Sequence, residues 1–128
     1  MFSKVVLALD GTEACRSAME AAKGVASGGH VTVIHVQTRA AEPEQKKVVD
    51  AQIAELNGAG ITTDLEWPTA IEGREADEIA GVAERVGAEA IVVATRGLSP
   101  VRSVVLGSTT QKLLHEAKRP VVVVPLTT

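Results

Sequence analysis

Val5-Val6-Leu7-Ala8-Leu9-Asp10-Gly11-Thr12 is an unbroken apolar run closed by an acid and a glycine. Five apolar residues in succession leave no polar face to turn toward water. Such a run suits a strand buried on both faces, as in a parallel sheet covered by helices, and not a half-solvated strand, which alternates. Residues 31–36, 91–94 and 121–124 share its Val- and Ile-rich character. A fifth stretch, residues 61–67, mixes apolar and polar residues and fits a weaker strand at a sheet edge.

Helical periodicity separates these runs. Cys15, Ala18, Met19, Ala22 and Val25 fall on one face, with Thr12 as the expected N-cap and Gly28-Gly29 as the stop. Pro43 suits a first helical position; Val49, Ile53 and Leu56 follow, and Asn57-Gly58 closes that helix. Ala76, Ile79, Ala80 and Ala83 mark a third helix ending near Gly87. Thr110, Leu113, Leu114 and Ala117 mark a fourth, stopped before Pro120. The order β-α-β-α-β-α-β-α-β predicts right-handed crossovers and a doubly wound α/β fold with helices on both faces.

The 128 residues suffice for one domain, expected to span 1–128. Hydrophobic residues make up 45% and charged residues 23%, which excludes a disordered chain. The net charge of −3 argues against a general nucleic-acid binder. Phe2 and Trp67 are the only Phe, Tyr or Trp residues, so a platform for stacking single-stranded bases is excluded. Cys15 is the single cysteine, which rules out an internal disulfide and a multi-cysteine metal site. The opening apolar run is too short for a signal peptide or membrane span, so the expected setting is the cytoplasm, with no membrane partner.

The connection after the fourth strand stands apart. Residues 95–106 form twelve positions without strong helical pattern, where such loops ordinarily have two to six. Ligands of open α/β sheets bind at strand carboxyl ends, where neighbouring crossovers leave to opposite faces. The loop runs Ala94-Thr95-Arg96-Gly97, nine residues, then Gly107-Ser108-Thr109-Thr110. Glycines let backbone approach a ligand, and Gly107-Ser108 would present free N–H groups at a helix start. Ser108 with Gln111 also reads as a capping box, so phosphate binding and simple capping both fit.

Charge is distributed unevenly. From residue 61 to 89 there are eight acids and two arginines, a net of −6; from 96 to 120 there are five bases and one acid, a net of +4. Lys118 and Arg119 complement a helix end, whereas Arg96 and Arg102 lie in the loop and suit phosphate oxygens or plain solvation. Asp10 reads either as a turn residue or as an acceptor for a ribose hydroxyl or base amine, or as an outer ligand for a divalent ion.

These residues together resemble the universal stress protein family, over essentially the whole chain. Its nucleotide-binding members carry Gly-x2-Gly-x9-Gly-Ser/Thr, and this chain has Ala94-x2-Gly97-x9-Gly107-Ser108. Val5 to Thr12 resembles the family's first strand and Asp-Gly-Ser turn. Ile34-His35-Val36 resembles its second-strand ending, and Pro120-Val121-Val122-Val123-Val124-Pro125 its closing strand. The resemblance implies strand order 3-2-1-4-5 and ATP, or another adenine nucleotide, held at the first and fourth strands, with Mg or Mn as a companion ion. It implies Asp10 at the ribose and Ala8 and Val36 around the adenine, with Leu9 also among the nucleotide-binding residues. Gly97, Gly107, Ser108 and Thr109 would contact phosphate, with Arg96 and Arg102 in the variable part of the motif. Ala94 is a departure, placing a methyl group where the family has its first glycine.

In that order residues 121–124 form a sheet edge, and an uncovered run of four valines invites pairing. A homodimer through Val121, Val122, Val123 and Val124 around a two-fold axis is expected, as the family implies. The leading expectation is therefore a nucleotide-binding stress or regulatory protein. The alternatives are a nucleotide-independent dimerisation module and a slow ATPase or autophosphorylating protein. Catalysis is not favoured, because no positioned base is evident and there is no Gly-x4-Gly-Lys-Ser/Thr. A dinucleotide-binding domain would want Gly-x-Gly-x-x-Gly where Asp10-Gly11-Thr12-Glu13-Ala14-Cys15 stands.

Overall fold

The apolar runs become neighbours in one parallel sheet, and the periodic segments become the helices that cover it. A computed structural model of the chain describes residues 2–9, 15–36, 43–71, 73–94 and 108–125, the side chain of Ser108 excepted. The elements are β1 (Lys4–Ala8), α1 (Arg16–Val25), β2 (His30–Ile34), α2 (Pro43–Gly58), β3 (Thr62–Glu66), α3 (Glu75–Val86), β4 (Ala90–Ala94), α4 (Ser108–Glu116) and β5 (Val121–Val124). The strand order is β3-β2-β1-β4-β5, with every pair parallel. The doubly wound α/β fold and its strand order are as expected from sequence. Thr12, the expected N-cap of α1, lies outside the described residues, and the helix itself runs from Arg16.

The two-residue period of a strand divides the core into two layers. Val5, Leu7, Val31, Val33, Ala90 and Val92 face Ala18, Met19 and Ala22 of α1 and Val49 and Leu56 of α2. Val6, Ile34, Ile91 and Val93 face Ala76, Ile79, Val82 and Ala83 of α3 and Leu113 of α4. Both faces of β1 and β4 are thereby covered, which is why those strands carry no alternation.

Local chemistry sets the boundaries. Pro43 opens α2, where its missing N–H costs nothing. Gly87 closes α3 in the left-handed conformation, φ 69°, and its N–H donates to the carbonyls of Ala83 and Glu84. Gly29 is required by close approach, because a Cβ there would stand 2.7 Å from the Ser3 carbonyl oxygen.

Polar side chains tie the helices together. Arg16 donates to both carboxylate oxygens of Glu55 at 3.0 Å, joining α1 to α2. That hydrogen bond holds the Glu55 carboxyl below its ordinary pKa. Arg119, only 13% exposed, donates to the carbonyls of Ala117 (2.8 Å), Ala83 (3.0 Å) and Ala88 (2.7 Å), and it pairs with Glu84. Between α3 and α4 a carboxyl hydrogen bond links Asp77 to Glu116. It lowers the Asp77 pKa, with help from Arg74, and raises that of Glu116.

Gln52 breaks the apolar stripe of α2. It is completely buried, and among the described residues neither its amide nitrogen nor its oxygen meets a hydrogen-bond partner. A buried amide left this way costs about 1–3 kcal/mol. Gln52→Leu is therefore expected to raise the unfolding free energy by about 1–2 kcal/mol, measured by urea titration. A loss of stability instead would mean that an internal water serves the amide.

Candidate functional site

The sheet has one switch point. β1 lies between β2 and β4, and α1, which follows β1, packs in the layer with α2, whereas α4, which follows β4, packs in the layer with α3. Crossovers leaving adjacent strands to opposite faces open a crevice at the strand carboxyl ends. Because α4 joins two parallel strands, it runs back against them, and its first turn stands at that same end of the sheet.

Ala8 ends β1, and Val36 lies two residues beyond the end of β2 on the same face of the sheet. Both are half-buried and pack on the layer shared with α3 and α4. Two small aliphatic side chains at the ends of adjacent strands leave a shallow apolar floor, suited to a flat, uncharged ring. Leu9 goes the other way: it is 4% exposed, in the α1 layer, and its N–H donates to the Ile34 carbonyl at 3.0 Å.

Ala94 also packs on the α1 layer, opposite Ala8 and Val36, and stands beside Val124 in the register of β4 and β5. Its methyl group therefore points away from the apolar floor, for the same two-residue reason that divides the core. Ala94→Gly is accordingly expected to leave ligand affinity within about twofold while lowering stability by roughly 1 kcal/mol, as for a glycine in a strand. Parallel ligand titration and thermal melts of the two proteins check both parts.

Ser108 is the first residue of α4, and Thr109 is half-buried in its first turn. Helix N–H groups that lack a partner in the preceding turn point from this end, with the positive end of the helix dipole. Asp10, Arg96, Gly97, Arg102 and Gly107 lie outside the described residues. Among the described residues no three His, Cys, Asp or Glu side chains converge on a point where a metal ion would fit. None of the described helices is long and apolar enough to cross a membrane.

Beside the crevice, on the α1 layer, is a feature not anticipated from sequence. The buried His35 ring lies parallel to Trp67, with 4.2 Å between centroids and 3° between planes, and Lys46 Nζ stands 5.9 Å from the Trp67 ring. Two signals announced it. His35 is in phase with Val31 and Val33, so it turns toward the helices and not toward water. The pairing of Ile34 with Glu66 continues to place His35 beside Trp67. His35 immediately precedes Val36, so the ring pair and the apolar floor stand on opposite faces of the sheet beyond the end of β2.

A profile of the universal stress protein family matches residues 1–125. A Thermus aquaticus protein, the universal stress protein in QAH/OAS sulfhydrylase 3′region, is 33% identical over 140 residues, covering 97% of this chain and 99% of its own. Among solved structures, hypothetical protein MJ0577 superposes with a TM-score of 0.79 at 22% identity, covering 100% of this chain and 99% of that one. The universal stress protein of Archaeoglobus fulgidus in complex with dAMP gives 0.71 at 22% identity, covering 94% and 95%. A universal stress protein in complex with cAMP gives 0.67 at 20% identity, covering 98% of each chain.

Proposed function

Because the chain belongs to the universal stress protein family, we propose that it is a regulatory stress protein that binds an adenine nucleotide, ATP foremost, at the β1–β4 crevice. The observation that carries this reading is the apolar floor of Ala8 and Val36 at the switch point, with the first turn of α4 at the same end of the sheet. The dAMP and cAMP bound by two proteins of similar fold support the choice of adenine. With no aromatic partner in the layer of Ala8 and Val36, base recognition rests on burial and backbone hydrogen bonds.

In this reading Asp10 accepts from the ribose hydroxyls. Gly97, Gly107, Ser108 and Thr109 offer N–H and hydroxyl groups to the phosphates, and Arg96 and Arg102 complement their charge. Mg or Mn rides with the phosphates and not in a cage of protein ligands, with Asp10 as at most an outer contact. The protein works in the cytoplasm as a single domain and a homodimer, and nucleotide occupancy alters the surface that it offers to others. It is a binding protein first, and any hydrolysis is incidental.

Asp10→Ala tests the site. Affinity for ATP is expected to fall by about tenfold, the weight of one charge-assisted pair of hydrogen bonds, while stability changes by no more than about 1 kcal/mol. Unchanged affinity would reduce Asp10 to a turn residue and remove the ribose contact from the reading.

A further inference from the structure

The two edges of the sheet differ chemically. At the β5 edge stand four valines; at the other stands β3, with the sequence Thr62-Thr63-Asp64-Leu65-Glu66. Among the described residues β3 pairs with β2 alone. Thr62 N–H donates to the Gly29 carbonyl at 3.2 Å, and the Glu66 carbonyl accepts from His35 N–H at 3.0 Å. The even-numbered residues of β3 thus bond to β2, and Thr63 and Leu65 turn their N–H and C=O groups to the open side.

The side chains on this edge are sorted by face. Leu65 is in phase with Trp67 on the α1 layer, yet it remains 42% exposed. Asp64 and Glu66 lie on the opposite face, where Glu66 meets Arg85 of α3 at 2.7 Å. The Asp64 side chain is 71% exposed and accepts from His30 Nε2 at 2.9 Å. We propose that this edge is a docking edge for an extended segment of a partner protein in which apolar and basic residues alternate.

Charge selects this occupant over a second copy of the chain. Pairing β3 with itself about a two-fold axis would set Asp64 and Glu66 against the same acids of the other copy, an opposition that destabilises a strand pair. An added strand with apolar residues on one face and Lys or Arg on the other meets Leu65 with the first and Asp64 with the second. Its backbone completes the hydrogen bonds of Thr63 and Leu65. The surplus of acids through residues 61–89 favours the same basic partner. The docking edge stands apart from the nucleotide crevice and does not depend on it.

The test uses isotopically labelled full-length protein and a blocked seven-residue peptide of alternating lysine and valine. The peptide is expected to shift the Thr63 and Leu65 amide resonances and to slow their exchange, and a glutamate–valine peptide is not. Leu65→Pro deletes an outward N–H that no sheet bond uses, and it should weaken binding by at least about tenfold. Asp64→Lys should transfer the preference to the glutamate–valine peptide, and it decides the matter alone if the proline variant fails to fold. No shift at millimolar peptide overturns the proposal. So does equal binding of both peptides, a response confined to β5, or a concentration-dependent change at β3 without peptide.

Discussion

Replacing Arg119 with alanine is expected to lower the unfolding free energy by about 3 kcal/mol, and the melting temperature by roughly 10 °C. The guanidinium sits among carbonyl groups from two helix ends: Ala83 in the last turn of α3, Ala88 just beyond it, and Ala117 just beyond α4. The Ala83 carbonyl also accepts from the N–H groups of Gly87 and Ala88, whereas Ala88 and Ala117 lie just past the helices, and one largely buried side chain donates to all three. Its removal costs the charge-assisted bonds and leaves their acceptors partly enclosed. Arg119→Lys keeps the charge and loses the fork, so its stability should fall between the two. Equal melts for wild type and alanine variant would show that water takes over all three carbonyls.

Val123→Pro is expected to convert the proposed dimer to a monomer without unfolding it. The Ile91 N–H donates to the Pro120 carbonyl at 3.0 Å, so the even-numbered residues of β5 bond to β4, while Val121 and Val123 direct their N–H groups outward. Proline at 123 therefore deletes a donor needed only for pairing with another chain. Val122→Pro deletes a bond inside the sheet and should unfold the edge instead. Light scattering gives the mass, and circular dichroism reports the fold. A persistent dimer in Val123→Pro would move the interface to another surface.

Much of this was legible in the sequence because burial on both faces writes itself as unbroken apolar runs. Val5 to Leu9 and Ile91 to Ala94 hold no polar residue, and they are the central strands; the mixed run 61–67 is the edge strand β3. Strand phase was legible too, but its consequences needed neighbours. That Ala94 and Leu9 turn to the α1 layer while Ala8 and Val36 turn to the other follows only when the strands are set side by side. The isolation of Gln52 and the triple reach of Arg119 carried no sequence signal, since each depends on contacts between segments far apart in the chain. The stretch that best identified the family, from Thr95 to Gly107, lies outside the described residues.

The central claim is that the crevice between β1 and β4 takes an adenine nucleotide. Calorimetric titration of nucleotide-stripped protein with ATP, with and without Mg²⁺, tests it most directly. Saturable one-site binding with a micromolar Kd is expected, equivalent to about −8 kcal/mol. Absence of heat at millimolar ATP would contradict the claim and leave a nucleotide-independent member of the family.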